Sequence, residues 1–192
     1  MKTLKTMCSL WFVCLSILAI LSCTSKQQPE WVGKWKSVTR ENIGNGLYAT
    51  REFNINEKDW DINFIVYSDS LGTNSLFKFY GAGPLEIQED SKLVPGAKNA
   101  IFRFNKKTLT LLTDDQNTIN SLGFAACGLQ KEVEKDISAN GCSFLPSVAN
   151  YGQEYDLIAL RNGQLFLGAR SNDLSTEDKR PTTLGAPLNK TQ

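Results

Sequence analysis

Acid–base and covalent chemistry in this chain has to come from carboxylates, hydroxyls, lysines and thiols, because its 192 residues include no His. Zinc sites and Ser–His or Cys–His nucleophiles lose their usual partner at the outset. Neighbouring acids occur at Asp114-Asp115 and at Glu132, Glu134 and Asp136, and Asp69 follows Ser68. A helix cap accounts for the first group and a solvated strand face for the second. No nucleophile elbow, phosphate loop or metal-ligand cluster appears, so we expect no enzyme, no cofactor and no metal.

The thiols carry more information. Lys2 and Lys5 precede an apolar run from Met7 to Ser22 that is short for a membrane span and suits the core of an export signal. The run closes on Ile20-Leu21-Ser22-Cys23, which resembles a bacterial lipobox, with a branched residue three places before the Cys and a small residue one place before. That spacing predicts cleavage after residue 22 and lipidation of Cys23. Each buried methylene contributes about 0.8 kcal/mol, so two or three acyl chains would fix the protein to a membrane. Thr24 after the Cys points to the outer membrane of a bacterial envelope, with secretion as the alternative. Residues 24–30, Thr-Ser-Lys-Gln-Gln-Pro-Glu, read as a polar tether, which leaves 31–192 as one domain.

Cys8 and Cys14 leave with the leader and acylation uses Cys23, so Cys127 and Cys142 remain as the pair in the mature domain. In an exported protein they are expected to form a disulfide, which for a loop of this length contributes about 3 kcal/mol. A structural metal is the competing use of two cysteines.

Of 21 Lys and Arg, Lys2 and Lys5 go with the leader, leaving 19 against 20 Asp and Glu. A near-neutral chain whose longest basic cluster is Lys106-Lys107 has no surface for nucleic acid.

The elements that position these residues are written in period two. Ile62, Phe64 and Val66 follow Trp60 at alternate positions, and the same alternation pairs Phe53 with Ile55, Phe77 with Phe79, Phe102 with Phe104 and Leu109 with Leu111. Gly44-Asn45-Gly46, Gly72 and Pro95-Gly96 separate the runs, and Asn162-Gly163 between two apolar stretches predicts a tight hairpin. One short helix is expected over Gln116 to Leu122, capped by Asp114 or Asp115 and ended by Gly123. The final strand is expected to end near Gly168, with a polar loop from Ser171 to Pro181 before a return at Thr183-Leu184. So much strand with so little helix predicts an all-β fold, an antiparallel barrel or half-barrel.

Gly33-Lys34-Trp35 in the first strand is similar to the Gly-x-Trp of lipocalins. That likeness implies a Trp35 plug at one barrel end with Arg170, from the late part of the chain, lying across the indole. A fuller series resembles the adenomatosis polyposis coli down-regulation (APCDD) domain. It runs through Gly33, Trp35, Arg51, Phe53, Tyr67-Ser68-Asp69, Cys127-Gly128, Asp136, Asn140-Gly141-Cys142, Glu154-Tyr155, Arg170, Asp173 and Pro187. The resemblance implies a membrane-anchored β-barrel with an apolar pocket for the acyl group of a Wnt-type ligand. Two family cysteines are replaced by the stretches Thr39-Arg40-Glu41 and Leu71-Gly72, and one domain stands where the animal protein has two.

On that reading Arg51, Phe53, Phe64, Phe77, Phe79, Phe102 and Phe104 line a pocket for a lipid or acylated molecule. The competing expectation is a solid core of packed rings, with Arg51 paired structurally. The barrel then serves as a module for an envelope protein, contacted through Tyr48, Tyr80 or Tyr151 near loop tips.

Overall fold

The computed structural model describes residues 28–170 and 173–191. Alternating side chains become strands as expected. In order they are β1 (Gly33–Ser37), β2 (Glu41–Gly44), β3 (Leu47–Ile55), β4 (Asp59–Tyr67), β5 (Ser75–Asp90), β6 (Ala97–Arg103), β7 (Lys106–Leu111), β8 (Glu134–Asp136), β9 (Gln153–Arg161), β10 (Gln164–Gly168) and β11 (Leu184–Thr191). Among the described residues these strands pair with one another antiparallel, and β1-β3-β4-β5-β6-β9-β10-β11 returns to β1 as a closed eight-stranded barrel.

Register fixes the inner face. Ala49, Arg51, Phe53 and Ile55 of β3 stand opposite Val66, Phe64, Ile62 and Trp60 of β4, and Val66 and Phe64 stand opposite Phe77 and Phe79 of β5. Because side chains alternate strictly, the whole set shares one side of the sheet.

β5 is sixteen residues long and serves two neighbours. Its first half pairs with β7, from Phe77 opposite Leu111 to Ala82 opposite Lys106, and its second half pairs with β6, beginning at Leu85 opposite Phe102. Gly81 and Gly83 sit at the exchange. A methyl group at Gly83 would stand 2.2 Å from the Arg103 carbonyl oxygen, so the β6–β7 turn can approach β5 only over a bare backbone.

The interior divides into two apolar clusters. One lies at the end where β1 begins, with Trp35, Phe53, Ile55, Trp60, Phe102, Leu165 and Leu188. The other lies at the opposite end, where Val66, Phe77, Leu109 and Leu111 meet Phe124, Ile137 and Cys142. Over this second end lie α1 (Gln116–Ser121) and the Cys127–Cys142 disulfide, whose Cα atoms are 5.7 Å apart. Asp115 caps α1 by accepting from the Asn117 and Thr118 amides, and Gly123 follows at φ +70°, as the sequence predicts. Asn162 and Gly163, both at positive φ, turn β9 into β10.

One expectation is corrected. The strand ending at Gly168 is not the last: β11 runs from Leu184 to Thr191 between β10 and β1 and closes the barrel. Gly185, Pro187 and Asn189 hide it in the sequence. Pro187 is tolerated because it pairs with Phe166 beside a register irregularity.

Candidate functional site

The predicted pocket residues separate into three groups. Phe53, Phe102 and Phe104 surround Trp60, whose ring centroid lies 6.1, 4.9 and 5.2 Å from theirs, the last two edge-on. The Trp60 indole N–H donates to the Arg103 carbonyl at 3.1 Å. Phe77 belongs to the other cluster, edge-on to Phe124 at 5.2 Å. Phe64 and Phe79 are half-buried and touch both clusters. The rings therefore pack against one another along the barrel axis, in the offset and edge-on arrangements that aromatic quadrupoles favour.

The expected placement of Arg170 across the Trp35 indole does not occur. The cation over Trp35 is Lys190, 5.2 Å from the ring centroid, because Lys190 is the cross-strand partner of Trp35 on β11. Arg170 turns instead to Glu154, with Nη1 2.5 Å from Oε2, and lies 3.9 Å from Asp156. Trp35 itself is buried and donates its indole N–H to the Trp31 carbonyl at 2.8 Å.

Two inward cations close seams where the ladder is interrupted. β1 pairs with β11 only as far as Ser37 opposite Leu188, and among the described residues β2 then pairs with β3 alone. Arg51, 5% exposed, bridges this gap by donating from Nε to Glu41 at 2.8 Å and from Nη2 to the Ala186 carbonyl at 3.1 Å. The Ser37 hydroxyl donates to the same Glu41 oxygen at 2.8 Å and accepts from the Arg51 amide at 2.8 Å.

On the other side β7 has left β6, and Lys107 fills the angle. Its Nζ donates to the Pro146 carbonyl at 3.0 Å and the Tyr151 carbonyl at 2.6 Å, and lies 4.6 Å from the Phe104 ring and 5.4 Å from that of Tyr151. Burial lowers its pKa to about 8, against the opposing pull of Glu154. Sequence reasoning named Lys107 only as part of a basic pair, yet alternation with Leu109 and Leu111 already places it inward.

Asp156 is the buried acid. Its Oδ1 accepts from the Leu157 and Gly168 amides at 2.7 and 2.8 Å, and burial raises its pKa to about 6 despite nearby Arg170. These shifts set a pH dependence of opposite sign at the two ends of the scale. A folded acid held above its ordinary value binds more protons than the unfolded chain, so stability falls as pH rises from about 4 to 6. A folded lysine held below its ordinary value binds fewer, so stability rises from about pH 8 to 10.5. Urea unfolding of the domain across this range should show both limbs, with Lys107→Met flattening the alkaline one. An unchanged alkaline limb in that variant would place its origin elsewhere.

Two surface clefts lie outside the barrel. One of about 520 Å³ is lined by Cys127, Lys135, Asp136, Asn140, Cys142 and Pro146 among others. Another of about 390 Å³ lies between Ser68 and Thr73 to Leu76 on one side and Thr113 to Asp115, Thr118 and Lys131 on the other. None of the seven predicted pocket residues lines either cleft. Tyr48 stands at the start of β3, two residues past the Asn45-Gly46 turn, whereas Tyr80 stands in the middle of β5 and away from a loop tip. Asp69 accepts from the Thr73 and Asn74 amides, which makes it a turn residue. The export leader and Cys23 lie outside the described residues. No family model matches the chain.

Proposed function

We propose that the chain is a non-enzymatic, membrane-anchored interaction module whose barrel is a filled scaffold. The observation that carries this reading is the aromatic packing on Trp60, where Phe53, Phe102 and Phe104 lie with ring centroids 4.9 to 6.1 Å from the indole. The buried cations support it as well. Arg51 is directed to Glu41 and the Ala186 carbonyl, and Lys107 to two carbonyls, so both cations are turned toward the barrel's own seams. The lipobox at Cys23 supports the anchor, and the APCDD resemblance supports a place at a membrane surface.

A second reading keeps the barrel as a carrier of a lipid or acylated molecule. It draws on Phe64 and Phe79, which are half-buried at the junction of the two clusters and leave ring surface for an added apolar group. Native mass spectrometry of the mature domain, purified without detergent, separates the two. The filled scaffold gives the mass of the bare chain. One retained acyl chain per barrel would overturn the first reading in favour of the second.

A further inference from the structure

We infer that the free edge of β8 accepts an extended, basic segment of a partner protein as an added strand, an inference that rests on the interaction-module reading and names its docking surface. Among the described residues β8 pairs with β7 alone, Asp136 opposite Thr108, Lys135 opposite Leu109 and Glu134 opposite Thr110. The Ile137 amide donates to the Lys107 carbonyl at 2.9 Å, which identifies Asp136–Thr108 as a pair without mutual hydrogen bonds. Two residues on, Glu134–Thr110 is of the same kind, and Lys135 between them makes the bonds to β7. The amides and carbonyls of Glu134 and Asp136 therefore point away from the sheet, about 7 Å apart, the spacing that a new strand engages.

Exposure agrees with an open edge. Residues 131–136 are exposed without interruption. The side chains of Glu134 and Asp136 share one face, and Glu132 precedes them. On the other face Lys135 turns its ammonium to the Cys127 carbonyl at 2.5 Å, so its charge is drawn from the edge toward the disulfide loop. Beside that face lies the cleft of about 520 Å³ between β8 and the disulfide loop, into which alternate side chains of an added strand would project.

Charge selects the occupant. A second copy would bring Glu134 and Asp136 against themselves, and like charges across a strand pair are unfavourable. A segment with Lys or Arg at every second position places cations opposite both acids.

The test uses the mature chain and two labelled pentapeptides, Lys-Val-Lys-Val-Lys and Glu-Val-Glu-Val-Glu. Fluorescence anisotropy should show saturable binding of the first alone, and hydrogen exchange followed by NMR should show the Glu134 and Asp136 amides slowed at saturation. Glu134→Pro removes an outward N–H together with one of the two carboxylates while sparing the ladder to β7, which runs through Lys135 and Ile137, and is expected to weaken binding about five- to tenfold. The double variant E134K/D136K should reverse the preference toward the acidic peptide, which keeps the test decisive should the proline variant fold poorly. Absence of binding, binding without slowed amides, or equal preference in the double variant would overturn the inference. A bare barrel by native mass spectrometry together with unprotected β8 amides would sink the edge site and leave the module reading standing. A retained acyl chain would count against the module reading whatever the peptides do.

Discussion

Trp60→Ala is expected to destabilise the domain by about 4 kcal/mol, the middle of the range for truncating a large buried aromatic. Trp60 is 3% exposed and stands at the centre of the ring cluster, within 5.2 Å of two phenylalanine centroids. Truncation removes those contacts, leaves a void that Phe53, Phe102 and Phe104 can fill only in part, and strips the Arg103 carbonyl of its indole donor. The measurement is urea unfolding of the protein followed by circular dichroism, with Trp60→Phe as a partial replacement of intermediate effect. The same experiment bears on function. A barrel built around a ligand cavity would tolerate the truncation, so a loss below about 1 kcal/mol would count against a filled interior.

Arg51→Met should cost about 3 kcal/mol for a different reason. Methionine replaces the buried stem well, but Glu41 is left with the Ser37 hydroxyl as its partner and the Ala186 carbonyl loses its donor. Breaking one half of an enclosed ion pair is more damaging than removing both halves. Glu41→Leu in the Arg51→Met background is therefore expected to recover part of the loss, and a double-mutant cycle by urea unfolding measures the coupling. Strict additivity of the two substitutions would show that the seam is held by packing alone.

The fold was legible wherever one face of a strand is oily and the other wet. Trp60 to Val66 reads as β4 from alternation alone, and Asn162-Gly163 and Asp115 mark their turn and cap through local backbone chemistry. β11 was not legible, because a strand needs only one inward anchor when neighbours on both sides supply the rest. Leu188, fully buried, is that anchor among Gly, Ala, Pro, Asn and Lys.

The site was less legible for a related reason. Alternation says which side chains point inward, and all seven pocket candidates lie on inward positions or beside them. It does not say whether inward rings meet. That depends on strand order around the barrel, which brings Phe102 of β6 across to Trp60 of β4 although β5 lies between them in sequence. Arg170 is separated from Trp35 for the same kind of reason, since the residue in register with Trp35 is Lys190.

β1 enters beside Ile55, while the disulfide and α1 sit beyond Phe77 at the far end. The molecule thus has a root and a crown. Nine-residue strands tilted as in small barrels separate the two by about 20 Å. Anchorage through Cys23 would plant the root against the lipid headgroups and hold the crown clear of them, like a short post whose top faces whatever moves through the space above the bilayer.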